Sequence, residues 1–90
     1  MDFTEDFKKV LLNEPHEILG KKGITQEFIN HTIKLLKRYK IIKIKALKSI
    51  ANKSNIKEFA SQIAEMTESN VLDVRGFTFI VSKYSINKIE

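Results

Sequence analysis

Two lysines lie between two glycines in this chain, at Gly20, Lys21, Lys22 and Gly23, and a helix is predicted to begin at Thr25. Glycine lets backbone approach a phosphate closely. The first N–H groups of a helix have no partners within the helix and attract anions. This combination favours a turn that faces phosphate. The alternative is a tight strand-to-helix connection whose lysines are only solvated.

The basic residues are concentrated in the middle third of the chain. Residues 21–53 hold ten lysines and arginines against one acidic residue, Glu27, which gives a net charge of +9. Residues 1–20 carry −3 and residues 54–90 carry −1, so the whole chain carries +5. Such asymmetry is typical of a protein that binds a polyanion. From the charge run alone, a solvated surface explains these residues equally well.

Length and composition limit the possible classes of protein. The 90 residues predict a single domain over residues 1–84 with a C-terminal tail at 85–90. No apolar run approaches the roughly 20 residues of a membrane span, and the acidic N-terminal segment does not resemble a signal peptide. We therefore expect a cytoplasmic protein. The absence of cysteine excludes disulfides and thiolate metal sites.

The chain carries no recognisable catalytic motif, so we expect no enzymatic activity. It lacks a cysteine nucleophile, a Walker lysine motif, and the G-x-S-x-G and H-E-x-x-H signatures. The carboxylates Glu58, Glu65 and Glu68 fit a solvated helix side better than an acid–base pair. His16 and His31 have no nearby carboxylate or second histidine at metal-ligand spacing, so we expect no metal and no cofactor.

Hydrophobic periodicity predicts three helices and four strands in the order α-β-α-β-α-β-β. The first helix is capped by Thr4 and ends by Asn13, and a short strand over residues 16–19 leads into the glycine turn. The third helix starts with a capping box of Asn55 and Glu58 and stops near residue 70. A helix between the first two strands favours parallel pairing. The expected fold is α+β, a two-layer α/β sandwich with a mixed four-stranded sheet.

The second helix, residues 25–39, has the clearest amphipathic pattern. Its apolar side must face the core, so its basic side, with Lys34, Lys37 and Arg38, faces water or a partner. Lys34 lies about 14 Å along this helix from Thr25, a span of a few nucleotides of backbone.

The second strand, residues 41–47, alternates between apolar and basic residues. Ile42, Ile44 and Ala46 point to one face, and Lys43 and Lys45 point to the other. These lysines either contact a polyanion or, if this strand lies at a sheet edge, discourage edge pairing.

The last two strands, residues 71–74 and 77–81, form an antiparallel hairpin through Arg75 and Gly76. Phe77 and Phe79 are interpreted as core residues rather than as stacking platforms for bases. Arg75 is expected to pair with Asp73 or solvent rather than to contact a polyanion at the hairpin tip.

Together these segments resemble a known family. The stretch Ile18-Leu19-Gly20-Lys21-Lys22-Gly23-Ile24-Thr25, the amphipathic helix, the strand Ile41-Ile42-Lys43-Ile44-Lys45 and the hairpin at Gly76 resemble the CRM domain, or YhbY-like, family. The resemblance covers about residues 7–84. Ile24 replaces the more usual leucine, and the last strand lacks the expected Tyr-Arg pair, so no role is carried over to Lys83 or Tyr84.

The resemblance implies an RNA-binding protein with a fold like the C-terminal domain of translation initiation factor three. Stand-alone members are associated with precursors of the large ribosomal subunit, and multi-domain plant members act in group II intron splicing. It implies that the loop of Gly20, Lys21, Lys22 and Gly23, with Ile24 and Thr25, contacts RNA backbone. Lys34, Lys37, Arg38, Lys43 and Lys45 would extend that surface.

The sequence therefore predicts an RNA-binding protein whose partner is ribosomal RNA or a precursor of the large subunit, with no membrane and no small-molecule substrate. The alternatives are a protein interaction module that docks an acidic assembly partner, and a general nucleic-acid coating protein. The oligomeric state stays open, as does whether the first helix covers the sheet or a partner.

Overall fold

The computed structural model describes residues 3–83, and these contain the predicted elements in the predicted order. The helices are α1 (Phe3–Leu12), α2 (Gln26–Tyr39) and α3 (Ile56–Thr67). The strands are β1 (Glu17–Leu19), β2 (Ile41–Ala46), β3 (Asn70–Arg75) and β4 (Thr78–Ser82). The predicted tail, residues 85–90, lies outside the described residues. No helix within residues 3–83 is long and apolar enough to span a membrane.

The strands form one mixed sheet in the order β1-β2-β4-β3. β1 and β2 are parallel, as the helix between them predicts, whereas β4 is antiparallel to both β2 and β3. The α+β fold with a mixed four-stranded sheet is therefore confirmed. β1 lies at one edge of the sheet. The turn at residues 20–23 directly follows β1, so it lies at the same edge.

The main core lies on the face of the sheet that α2 and α3 cover. Alternation along β2 places Ile42, Ile44 and Ala46 on this face, each with 0% of its surface exposed. Buried residues of the two helices complete it, namely Ile29 and Leu36 of α2 and Ile56, Ala60, Ile63 and Ala64 of α3. Burial of this apolar surface drives folding and holds α2 against the sheet.

Helix α1 covers the opposite face of the sheet, beside β2. Lys43 points to that face, and its Nζ donates hydrogen bonds to the carbonyl oxygens of Leu11 at 3.0 Å and Asn13 at 3.1 Å. The last carbonyl groups of a helix have no partners within it, and a cation there also interacts favourably with the helix dipole. Lys43 therefore fixes the end of α1 to β2.

The predicted caps of two helices are wrong, although the predicted start of α3 at Asn55 is correct. Thr4 lies inside α1, which begins at Phe3, and so is not its cap. Asn55 occupies the N-cap position of α3 but has helical backbone angles and makes no capping bond. Its side chain instead accepts from the N–H of Asn52 and donates to the carbonyl oxygen of Ile50, which orders the preceding loop.

The β3–β4 hairpin forms as predicted, with its turn one residue later along the chain. Arg75 pairs with Thr78 in the ladder, so the turn consists of Gly76, with φ +55°, and Phe77. Phe79 is 1% exposed, which confirms it as a core residue. Phe77 lies in the turn rather than in a strand, and it is only partly buried where it packs against the core. Arg75 Nε lies 2.8 Å from Asp73 Oδ2, as expected.

Candidate nucleic-acid interface

The glycine–lysine segment forms a tight turn between β1 and α2. The N–H of Gly23 donates to the carbonyl oxygen of Gly20 at 2.9 Å, which closes a four-residue turn. Gly23 has φ +71°, a conformation that glycine adopts without strain. Lys21 and Lys22 occupy the central positions, and both are exposed. Both ammonium groups are therefore available to an anion in solution.

The surface around the two glycines is open. A Cβ built on Gly20 or Gly23 would meet no described atom within 4 Å. The packing of the chain thus does not require glycine at position 20, and its φ is not in the left-handed region either. Because the fold does not require glycine at position 20, the absence of a side chain there leaves room for an external ligand to approach the backbone.

Thr25 caps the helix that follows the turn. Its Oγ1 accepts a hydrogen bond from the N–H of Phe28 at 3.0 Å, and its carbonyl oxygen accepts from Ile29 at 3.0 Å. The N–H groups of Gln26 and Glu27, which come first in α2, have no acceptor within a helix. Ile24 packs against the core and anchors the chain between the turn and the cap.

The basic side of α2 extends away from the turn. Lys34, Lys37 and Arg38 are all exposed, and at 1.5 Å per residue Arg38 lies about 20 Å along the axis from Thr25. Lys37 and Arg38 are in the last helical turn, where positive charge also stabilises the helix. Arg38 further stacks over Tyr39, with Cζ 5.4 Å from the ring centroid. These residues lengthen a basic surface without joining the turn itself.

The two lysines of β2 have different environments. Since β2 lies between β1 and β4, the edge-strand interpretation of both lysines is wrong. The Lys43 ammonium is already bonded to carbonyl oxygens at the end of α1. Lys45 is exposed and pairs in register with Ile18, two residues before Gly20. Of the two, Lys45 is the one free to serve a surface beside the turn.

Sequence reasoning missed a buried carboxylate beside the turn. Glu17 Oε1 accepts a hydrogen bond from Thr32 Oγ1 at 2.6 Å, and Glu17 Oε2 lies 2.8 Å from His31 Nδ1. The expectation that His31 has no carboxylate nearby is thus wrong, because β1 and α2 bring residues 14 positions apart together. No usable signal for this exists in the sequence, because in β1 the charged residue Glu17 is buried and the apolar residue Ile18 is exposed, the reverse of what their polarity predicts.

His16 is a structural histidine rather than a ligand. Its Nδ1 accepts a hydrogen bond from the N–H of Lys43 at 3.0 Å, and its ring packs against Tyr39 with centroids 5.0 Å apart. Burial lowers the pKa of His16 below its ordinary value of 6.5, because desolvation disfavours the charged ring. Within residues 3–83 no group of three histidines or carboxylates is placed to hold a metal ion.

Comparisons with known proteins agree with this architecture. The model of the CRS1 / YhbY (CRM) domain family matches residues 8–83. A solved structure from Staphylococcus aureus, of a hypothetical protein described as a candidate RNA-binding protein, superposes with a TM-score of 0.74 at 24% identity. The match covers 91% of this chain and 83% of that chain. A search of curated proteins gave no significant match.

Proposed function

The chain belongs to the CRS1 / YhbY (CRM) domain family, and we propose that it binds RNA by its backbone through the turn of Gly20, Lys21, Lys22 and Gly23. The main support for this proposal is that Lys21 and Lys22 are both exposed and lie in an open turn just before the capped start of α2. The family resemblance and the description of the Staphylococcus aureus structure both support RNA as the partner.

The binding step is electrostatic. Lys21 and Lys22 neutralise phosphate charge, and the N–H groups of Gln26 and Glu27 donate hydrogen bonds to phosphate oxygens. Lys34 and Lys45 then extend the contact along α2 and β2. Such binding releases counterions, so the affinity falls steeply with salt. Selectivity comes mainly from the shape of a folded RNA rather than from its base sequence.

The proposed biological setting is assembly of the large ribosomal subunit in the cytoplasm. The family resemblance supports this setting, since stand-alone members are associated with precursors of that subunit. The protein acts there by binding and carries out no chemical step on the RNA. In-cell crosslinking followed by sequencing of the attached RNA tests the setting; RNA drawn mainly from other transcripts would contradict it.

Paired charge reversals test the turn directly. Lys21→Glu with Lys22→Glu should abolish most binding of a structured ribosomal RNA fragment in a filter-binding assay at low salt. The matched control is Lys8→Glu with Lys57→Glu, two exposed lysines on α1 and α3 with the same change in charge. If both double variants lose the same affinity, only net charge matters. If the turn variant retains full affinity, the turn does not bind RNA and the chain fits better as a module for an acidic protein partner.

Competition separates specific binding from general coating. Duplex DNA and a structured ribosomal RNA fragment of similar length are each titrated against a bound, labelled RNA at physiological salt. We expect the RNA to compete much more strongly, because A-form geometry and the 2′-hydroxyl groups differ from those of DNA. Equal competition would favour the coating function instead.

A further inference from the structure

An open groove of about 520 Å³ lies at the edge of the sheet, between β1 and the first half of α2. Its lining includes His16, Glu17 and Ile18 on one side and Glu27, Phe28 and His31 on the other. β1 leads into the turn at residues 20–23, and α2 leaves from it. The groove therefore opens beside the proposed phosphate site, although that proposal does not use it.

The groove and the turn differ in charge. Among the described residues that line the groove none is a lysine or an arginine, and its ionisable members are Glu17, Glu27 and two histidines. A phosphate in the groove would face two carboxylates and is disfavoured there. A neutral group that donates hydrogen bonds suits the exposed Glu27 carboxylate instead. Along an RNA strand, the neutral donors next to a phosphate are the 2′-hydroxyl group and the nucleobase, and only the nucleobase also has a flat face that can stack on the exposed His31 ring.

The His31 ring is held in place on the wall of the groove. The Glu17 side chain is 4% exposed and that of His31 is 58% exposed, so a buried carboxylate positions an accessible ring. Since a carboxylate only accepts hydrogen bonds, His31 Nδ1 carries the hydrogen of this contact. A ring fixed before binding loses little conformational freedom when a ligand stacks on it.

We propose that this groove binds one unpaired nucleobase of the same RNA whose phosphates lie on the turn. The inference rests on the proposed function and adds base recognition to the backbone contact. The base stacks on the His31 ring, and Glu27 accepts a hydrogen bond from its exocyclic amino group. Adenine, cytosine and guanine, which carry an exocyclic amino group, therefore bind better than uracil, which has none.

The test compares three short single-stranded RNAs of equal length and charge: an oligoadenylate, an oligouridylate and an abasic strand. Binding to the full chain is measured by fluorescence anisotropy at low salt. The loss of one stacked base weakens binding about fivefold or more, so the oligoadenylate should bind at least that much more tightly than the abasic strand. The oligouridylate should fall between them.

Two variants of groove residues and one control variant test whether the groove is responsible for the preference for oligoadenylate. His31→Ala should lower the affinity for oligoadenylate about fivefold and leave the abasic strand unaffected. Glu27→Ala should remove the preference for oligoadenylate over oligouridylate. Because Glu27 is exposed, that variant does not depend on the buried contact of Glu17. Asn30→Ala changes an exposed residue of the same helix outside the groove lining and should leave every ratio unchanged.

The outcomes separate the two proposals. Equal affinity of the unaltered chain for oligoadenylate and the abasic strand overturns the nucleobase site. Should both strands then still lose affinity on charge reversal of Lys21 and Lys22, the phosphate-binding turn stands. If charge reversal has no effect but the groove variants do, the backbone proposal fails and base recognition is retained.

Discussion

The imidazole Nδ1 of His16 accepts a hydrogen bond from the backbone N–H of Lys43 at 3.0 Å. The N–H of His16 in turn donates to the carbonyl oxygen of Lys43 at 2.8 Å, so two bonds join His16 to one residue of β2. Nδ1 accepts only when it carries no hydrogen. Burial also lowers the pKa of His16. The folded state therefore contains the neutral ring.

We expect the chain to become less stable as the pH falls from about 7.5 to about 5.5. Below the ordinary pKa of 6.5, the unfolded chain protonates His16 while the folded chain, whose His16 has a lower pKa, does not. The free energy of unfolding then decreases with falling pH until the folded-state pKa is passed. Urea unfolding at several pH values measures this slope. The variant His16→Gln should show a shallower slope, and an equal slope in both proteins would contradict the assignment to His16.

The two glycines of the turn should respond differently to alanine. Gly23 has φ +71°, so Gly23→Ala should lower the free energy of unfolding by about 1–2 kcal/mol. The methyl group of Gly20→Ala would contact no described atom, so this variant should change the free energy of unfolding by less than about 0.5 kcal/mol. Instead, Gly20→Ala should weaken RNA binding, since its methyl group occupies space that a phosphate needs. Urea unfolding and filter binding on both variants measure the two effects, and unchanged RNA affinity in Gly20→Ala would exclude close approach at that residue.

Lys43 and Lys45 offer a second matched pair. Lys43→Met removes the ammonium bonds to the end of α1 and should lower the free energy of unfolding by about 1 kcal/mol. Lys45→Met makes the same chemical change two residues along the same strand, at an exposed side chain, and should leave stability nearly unchanged. Thermal unfolding followed by circular dichroism compares them. Equal stability of the two variants would mean that the Lys43 bonds contribute nothing.

Local patterns predicted the elements because each pattern reflects one helix or strand. The alternation of Ile42 and Ile44 with Lys43 predicts both faces of β2 correctly. The predicted start of α2 at Thr25 is also correct, because Thr25 is the N-cap of that helix. The predicted cap at Asn55 failed because its side chain suits a loop as well as a helix start. Only the backbone angles, set by tertiary contacts, decide between these two roles.

Contacts between distant residues were beyond such patterns. The Glu17–His31 and Lys43–Leu11 contacts depend on the strand register and on where each helix crosses the sheet. Many packing contacts determine these features together, and no short motif encodes them. For the candidate site, the turn was visible in the sequence because its residues are consecutive. The groove beside it was not visible, because two separate elements form it.

The buried pair of Thr32 and Glu17 should respond asymmetrically to mutation. Thr32 Oγ1 donates to Glu17 Oε1 at 2.6 Å, and Thr32 is 0% exposed. Thr32→Val removes this donor from a buried carboxylate and should lower the free energy of unfolding by about 2 kcal/mol. Glu17→Met instead removes the carboxylate, and the Thr32 hydroxyl can still donate to the carbonyl oxygen of Phe28, 2.8 Å away. The His31 side chain is 58% exposed and can bond to water, so Glu17→Met leaves no buried polar group unpaired and should be neutral or stabilising.

The double variant of Thr32→Val and Glu17→Met shows which interaction accounts for the loss of stability in Thr32→Val. If the cost of Thr32→Val comes from the unpaired carboxylate, the same substitution should cost little in the Glu17→Met background, with a coupling energy of about 1–2 kcal/mol. Urea unfolding of the four proteins at neutral pH completes this cycle. A Thr32→Val cost that is the same in both backgrounds would instead assign it to the packing of α2. In that case Glu17 would not depend on Thr32, and the position of the His31 ring would rest on the Glu17–His31 contact alone.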